Sequence, residues 1–296
     1  MAARIAALCL WSLVMILGAA YLICWFNRPA RTPVSRSLFQ GIDYQRYSRD
    51  LPRPLVFHVI TVDLSAPGLD FLVTPQGLDP AGKDTLADTV PGFLQKNGVQ
   101  VAINGSFFFP MHVNHAFDYA PRVGEGVNVV GLSISEGDRY SAVEEGWAAL
   151  CIVSPKDITL SETGDCAANT VQGLAGDLLF VKNGQLVPAA NRGQLFPRSA
   201  IALDAEKKTM WLVVVDGRQR GYSEGATLGE LAEELIALGA DQALNLDGGG
   251  SSALAVEAQG QATVLNAPIQ ARVPTRLRPV ANHLGIYAAP LPETAD

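Results

Sequence analysis

The sequence predicts an α+β fold: β-rich mixed sheets with a few helices, in a single globular domain that follows an N-terminal transmembrane segment. Three observations carry this expectation. Residues 5–26 form a run of 22 residues without a charged side chain, long enough to cross a bilayer as a helix. The rest of the chain alternates short apolar and β-branched runs with Gly, Pro, Asn and Asp turn signals. Only two stretches combine helical spacing with helix end signals. The length, 296 residues, suffices for a sizeable core. No repeat, low-complexity tract or linker divides the body. The expected organisation is therefore a signal anchor or signal peptide with its linker over residues 1–36, and one domain over residues 37–296.

Arg4 precedes the apolar run, and Arg28, Arg31 and Arg36 follow it. Two readings stand side by side. One is an anchor that stays in the membrane; the other is a cleaved signal peptide with Gly18-Ala19-Ala20 as its small-residue site. The run continues through Tyr21-Leu22-Ile23, which favours the anchor on length. Both readings place the body outside the cytoplasm, membrane-anchored or secreted, and periplasmic in a Gram-negative cell. Beyond residue 36 the chain carries a net charge of −11. So acidic a body lacks the basic footprint of a nucleic-acid partner. Cys151 and Cys166 are the two cysteines outside the apolar run. In an exported protein they fit a disulfide, worth about 3 kcal/mol in the chain-entropy account, although two unlinked thiols fit the spacing as well.

Strands are expected, in order, over residues 55–64, 69–74, 99–103, 129–135, 148–153, 178–182, 199–204, 209–216, 242–246, 253–257 and 284–288. Turn signals such as Pro67-Gly68, Asn97-Gly98 and Asn183-Gly184 separate them. A first helix is expected over residues 85–95, with Pro91 as a potential breaker. A second runs from Thr227 to Gly239. Thr227 and Glu230 have the spacing of a capping box, Gly239 is a C-terminal stop, and Leu228, Leu231, Leu235, Ile236 and Leu238 supply a buried stripe. This helix delivers the chain into residues 242–246.

That last strand ends in the most informative segment, Asn245-Leu246-Asp247-Gly248-Gly249-Gly250-Ser251-Ser252. Three glycines in succession are tolerated where the backbone needs positive φ or something must approach it closely. Bare amides beside hydroxyls suit an anion, and Asp247 is aimed into the same space. A plain Gly-rich turn is the competing reading. Neither a P-loop nor a dinucleotide fingerprint is present. Asn104, Arg198, Asp216 and Arg218 also stand at the ends of apolar runs, and a shared sheet would bring Asn104, Asp216 and Asp247 to one rim.

Taken in order, these segments resemble the phosphodiester glycosidase family, to which the animal N-acetylglucosamine-1-phosphodiester α-N-acetylglucosaminidase belongs. The matching stretches include Ala102-Ile103-Asn104-Gly105-Ser106-Phe107-Phe108, Gly176-Asp177-Leu178-Leu179, Arg198-Ser199-Ala200-Ile201 and Val215-Asp216-Gly217-Arg218. The Asn-Leu-Asp-Gly-Gly-Gly-Ser-Ser block is the most specific. Asn266-Ala267-Pro268 and Arg278-Pro279-Val280-Ala281-Asn282 resemble the family's closing segments. The resemblance spans residues 55–288. Ser106 departs from the family's usual glycine, and Ile269-Gln270 replace its usual Ser-Asp after Pro268.

The resemblance implies an exported hydrolase that cleaves the glycosidic bond of sugar-1-phosphodiesters, of N-acetylglucosamine type or from related envelope glycans. Asp247 would be the main carboxylate and Asp216 the second. Arg198 and Arg218 would hold the phosphate. Asn104, Gly248, Gly249, Gly250, Ser251 and Ser252 would bind substrate. The expected partners are a sugar-phosphodiester or polysaccharide substrate and, through the N-terminal segment, a membrane. No cofactor is certain. Calcium is compatible with the carboxylates, and His112, His115 and Asp118 form a second, less favoured metal grouping. The alternatives are a non-catalytic carbohydrate-binding protein of exopolysaccharide or envelope assembly, and a purely structural envelope protein.

Overall fold

An antiparallel sheet of eight strands forms the middle layer. Its order is Val34–Phe39, Ile42–Arg49, Leu55–Asp63, Thr209–Val215, Arg198–Leu203, Gln242–Asn245, Leu178–Lys182 and Gln185–Leu186. The computed structural model describes residues 2–77, 79–190 and 193–292. Both faces of the central strands are buried, so these strands read as continuous apolar runs rather than alternating ones. On Leu55–Asp63, Phe57 and Val59 face one side while Ile60 and Val62 face the other. Trp211 and Val213 are set against Leu212 and Val214 in the same way.

One face is covered by the helix α3, Leu228–Leu238, through Leu228, Leu231, Ala232 and Leu235. The expected cap is present: Thr227 and Glu230 form a reciprocal capping box, and Gly239 closes the helix in a left-handed conformation. The opposite face packs on two five-stranded sheets. One runs Gln261–Val264, Leu254–Ala258, Val101–Asn104, His283–Tyr287, Asp70–Val73; the other runs Asp138–Ser141, Ser133–Ser135, Gln172–Gly176, Ala148–Ser154, Asp157–Ser161. The helix α2, Val90–Asn97, covers the outer side of the first of these through Val90, Phe93 and Leu94. The domain is thus α+β, with sheets dominant.

Two expected elements differ. The helix expected over residues 85–95 begins only at Val90, capped by Thr89, while Thr85–Leu86 is a strand. Pro91 opens the helix rather than breaking it, because the first turn has no use for its missing N–H. The strand expected over residues 129–135 is two strands, Gly126–Val129 and Ser133–Ser135, in different sheets. Gly131, at φ +83°, turns the chain between them. The hairpin Val34–Phe39 with Ile42–Arg49 has no counterpart in the expected strands, since its outer strand is polar and exposed.

The helix α1, Ala2–Phe26, precedes the domain. Its stretch Leu8–Phe26 is long and apolar enough to cross a membrane, and it is not buried against the protein. Cys151 and Cys166 form a disulfide that ties the strand Ala148–Ser154 to the loop before Gln172–Gly176. Replacing both by Ala should lower Tm by about 5–10 °C, from about 3 kcal/mol of lost loop constraint. A melt of the double variant that overlays the parent would refute that contribution.

Candidate active site

The strand Gln242–Asn245 lies between Arg198–Leu203 and Leu178–Lys182 in the middle layer, so the chain leaving it is held from both sides. Leu246 N–H donates to the Ser199 carbonyl (2.9 Å), and Asp247 N–H to the Gly105 carbonyl (3.1 Å). Asn104 Nδ2 donates to the Asp247 carbonyl at 2.6 Å. These bonds tie the eight-stranded sheet to the facing five-stranded sheet at one point. Asp247 is fixed there, part-exposed, at the wall of a cavity of about 360 Å³.

The three glycines have separate reasons. A Cβ on Gly248 would come within 2.8 Å of the Pro197 carbonyl. Gly249 has φ +64°, and its Cβ would meet the Arg218 guanidinium at 3.0 Å. A Cβ on Gly250 would fall 2.5 Å from Arg278 Nη2 and 2.6 Å from Gln270 Oε1. The glycines therefore let two guanidinium groups lie directly on the loop backbone. Arg278 is buried and oriented by its own bonds, Nε to Gln270 Oε1 (2.9 Å) and Nη1 to Ser251 Oγ (3.2 Å). Arg218 is more exposed and stacks over Phe196, with 5.0 Å between guanidinium and ring centre.

Burial pushes the Asp247 carboxyl up to about 6. The Ser251 hydroxyl, the Arg278 guanidinium and the Gly248 amide pull the other way, while Asp177 adds to the rise. Desolvation lowers both Arg218 and Arg278, and Asp247 partly restores each. Asp177, which accepts from Asn245 Nδ2 at 2.7 Å, lines the same cavity. The site therefore joins a carboxyl that titrates near neutrality, a second carboxylate and two cations packed on bare backbone. Such a set can bind a phosphate-bearing ligand and exchange a proton beside it.

Arg198, Arg218, Asp247, Gly248, Gly249 and Gly250 line this cavity. Arg198 spends Nε on the Ala226 carbonyl (3.0 Å) and Nη2 on that of Gln194 (2.9 Å). These two bonds hold the loops at Gln194 and Ala226. Asn104, Ser251 and Ser252 are buried beneath the cavity wall and do not line it. Asn104 Oδ1 accepts from Ser199 Oγ and the Ala253 N–H, so it supports the Asp247 segment from behind.

The expectation that Asp216 shares the Asp247 rim is corrected. Asp216 is 1% exposed. Its Oδ2 is 3.0 Å from His58 Nε2, and its Oδ1 accepts from Ala267 N (2.8 Å) and Asn266 Nδ2 (3.1 Å). Tyr44 completes the row at His58 Nδ1 (2.9 Å). These bonds leave Asp216 no path to a ligand. The Asp-Gly turn points its carboxylate into the fold, where it joins Leu55–Asp63 to the loop at Ala267.

Arg278 and Asp177 are the charged cavity residues that the sequence does not single out as site residues. Each lies inside a stretch that resembles the family, but neither sits in a local motif. Their role depends on contacts with Gln270 and Asn245, which strand pairing and loop closure bring together. Among the described residues, no group of three His, Cys, Asp or Glu side chains converges as a metal site. Asp118 accepts from His112 Nε2 (3.1 Å) and Asn114 Nδ2 (2.8 Å) in an exposed hairpin.

Residues 97–287 match the family described as phosphodiester glycosidase, about two thirds of the chain. This chain belongs to the phosphodiester glycosidase family. Asp177, Arg218, Asp247 and Arg278 all lie within the matched residues, whereas α1 and the first strands lie outside them. No curated protein matches the chain in sequence. Its fold is similar to that of a Synechocystis protein, at 17% identity and a TM-score of 0.64, covering 88% of this chain and 64% of that one. The chain therefore spans just under two thirds of that protein. It is also similar to the zebrafish N-acetylglucosamine-1-phosphodiester α-N-acetylglucosaminidase catalytic domain, auto-inhibited by its pro-peptide (19% identity, TM-score 0.57, 88% and 87% covered). A Burkholderia pseudomallei protein gives 13% identity, a TM-score of 0.59, and 88% and 97% coverage. At these identities the likeness is one of fold.

The raised carboxyl has a consequence for stability. A group whose value in the folded protein lies above its ordinary one favours folding in its protonated form. The parent should therefore match Asp247→Asn below about pH 4 and fall behind it as the pH rises through about 6. The difference is at most about 3 kcal/mol, less in proportion to the water reaching the carboxyl. Tm measured against pH for both proteins checks this. A constant difference from pH 4 upward would show that Asp247 is not desolvated.

Proposed function

We propose that this protein is a membrane-anchored, extracytoplasmic hydrolase that cleaves the glycosidic bond of sugar-1-phosphodiesters. The favoured sugars are of N-acetylglucosamine type or from related envelope glycans. One observation carries the reading: a carboxyl lifted to about 6 faces the same cavity as two guanidiniums seated on a glycine backbone. Membership of the phosphodiester glycosidase family supports the same reaction class. The apolar helix and the disulfide support a location outside the cytoplasm.

In this reading the phosphodiester binds Arg218 and Arg278, and the sugar occupies the cavity beside Asp247. The phosphate oxygen leaves as a stable anion and requires little protonation. The two guanidiniums neutralise the charge that develops on it. The cation that develops at the anomeric carbon is steadied by Asp177 and Asp247. Asp247, ionised, takes the proton of the attacking water. Arg198, Asn104 and Ser251 hold these groups in place, and Asp216 stabilises the fold.

The test is sugar release by the purified full chain from α-N-acetylglucosamine 1-phosphodiesters, a nucleotide sugar among them. Asp247→Asn should lose about 10²–10⁴-fold in kcat, and Arg278→Met should raise KM and lower kcat together, because Arg278 both binds the phosphodiester and meets the charge that develops on it. For the parent, kcat/KM should rise with pH through an inflection near 6, because the base must be ionised. Ligand binding without turnover would move the protein to the carbohydrate-binding alternative.

A further inference from the structure

Arg218 and Arg278 also line a second cavity, whose walls do not include Asp247. It measures about 610 Å³, and its other walls include Arg272, Val113 and, from α1, Tyr21 and Trp25. The helix read as a membrane anchor therefore supplies part of a cavity that shares both phosphate-binding arginines with the candidate site. We infer that the substrate is a sugar joined through its phosphodiester to a membrane lipid alcohol, drawn from the bilayer that α1 spans. This rests on the glycosidase reading above and adds the chemistry of the group that leaves.

The first argument is geometric. Leu8–Phe26 has 19 residues, about 28 Å of helix, against a hydrocarbon layer of about 30 Å. The apolar run ends at Phe26, one residue after Trp25, so a membrane-spanning α1 carries Trp25, and Tyr21 one turn before it, towards the lipid boundary, where such side chains anchor helices. They stand one turn apart and stack, with ring centres 6.3 Å apart. A cavity they wall then lies close to the membrane surface.

The second argument is that α1 is not a loose tether. Arg28 lies over the Trp25 ring at 3.7 Å and donates to the Trp25 carbonyl at 2.7 Å. Its guanidinium also lies over Tyr222 at 4.4 Å, and Tyr222 Oη donates to the Pro29 carbonyl at 2.9 Å. Tyr222 belongs to the domain and bonds through its N–H to the Gln219 carbonyl, so the helix exit is fixed against the turn at Gln219, which lines this cavity. The helix also packs against Val273–Pro274, next to Arg272.

The third argument is the surface beside the two cavities. Phe109, Met111, Val113 and Phe117 are exposed along one loop. Met111 lines the Asp247 cavity and Val113 the α1 cavity. Arg276 holds this loop by donating to the Ala116 carbonyl at 2.5 Å. An apolar loop beside exposed Arg220 and Arg272 suits a bilayer surface with anionic headgroups. Exposed apolar side chains grouped beside a site mark a surface that meets an apolar partner.

The reaction then balances as follows. Water oxygen bonds to the anomeric carbon, and the bond from that carbon to the phosphate oxygen breaks. The electron pair stays on the phosphate, and a water proton passes to Asp247. Free sugar departs to solvent, and a lipid phosphomonoester remains in the membrane.

The experiment uses the full chain in phosphatidylethanolamine–phosphatidylglycerol vesicles. It compares dodecyl and methyl esters of the same sugar 1-phosphates. The dodecyl ester should show kcat/KM about tenfold or more above the methyl ester. Trp25→Ala and, separately, Arg272→Glu remain anchored in the same vesicles, so enrichment of the lipid ester near the enzyme is common to all three proteins. Both variants should narrow the dodecyl-to-methyl ratio several-fold. Equal turnover of the two esters, or variants that both keep the parent's ratio, would overturn the lipid assignment and leave the glycosidase reading intact. Failure to cleave either ester of any sugar tested would overturn that reading, and this inference with it.

Discussion

Two guanidinium groups lie against a backbone with no Cβ, beside a carboxyl that burial holds near neutrality. Arg278 occupies its position because Gly250 leaves the space, and Gly249, at φ +64°, lies with its bare backbone against Arg218. Both cations are lowered by desolvation and each is partly restored by Asp247. An anionic ligand placed between them supplies the charge that their surroundings lack. The remaining architecture makes this juxtaposition rigid. The middle sheet fixes the strand before Asp247, the facing sheet contributes Asn104, and the closing segment delivers Arg278 through Gln270.

The polar groups buried around this point divide into two sets. Asn104, Ser199 and Ser251 bind the loop that carries Asp247 or the cation beside it. Tyr44, His58, Asp216 and Asn266 form a separate row that is closed to solvent. A buried carboxylate with every bond satisfied specifies how strands and loops meet. Asp247 differs because one side of it faces an open cavity. Burial together with access, rather than burial alone, makes a carboxyl suited to moving a proton.

Much of this was legible in the sequence. The glycine triplet after an apolar run announced a close backbone approach, and Thr227, Glu230 and Gly239 marked α3. Apolar runs such as residues 55–64 marked the buried strands, since both faces of that layer are covered. What was not legible depends on contacts far apart in the chain. Asp216 and Asp247 look alike locally, each ending an apolar strand before glycine. Only the position of His58 and Ala267 separates them. Arg278 lies 31 positions from Asp247, and the closing stretch that contains it does not show by itself that the chain returns to the glycine loop. The hairpin Val34–Phe39 with Ile42–Arg49 escaped because an exposed edge strand need not be apolar.

The roles of Asp247, Arg218 and Arg278 depend on which bond breaks. A glycosidase severs the bond between the anomeric carbon and the phosphate oxygen, whereas a phosphodiesterase attacks phosphorus. Hydrolysis of a sugar-1-phosphodiester by the full chain in ¹⁸O-labelled water separates the two, read by mass spectrometry of both products. Cleavage at the anomeric carbon places the label on the anomeric hydroxyl of the sugar and none on the phosphate. Label on the phosphate would contradict it, and Asp247, Arg218 and Arg278 would then have to be reassigned to attack at phosphorus.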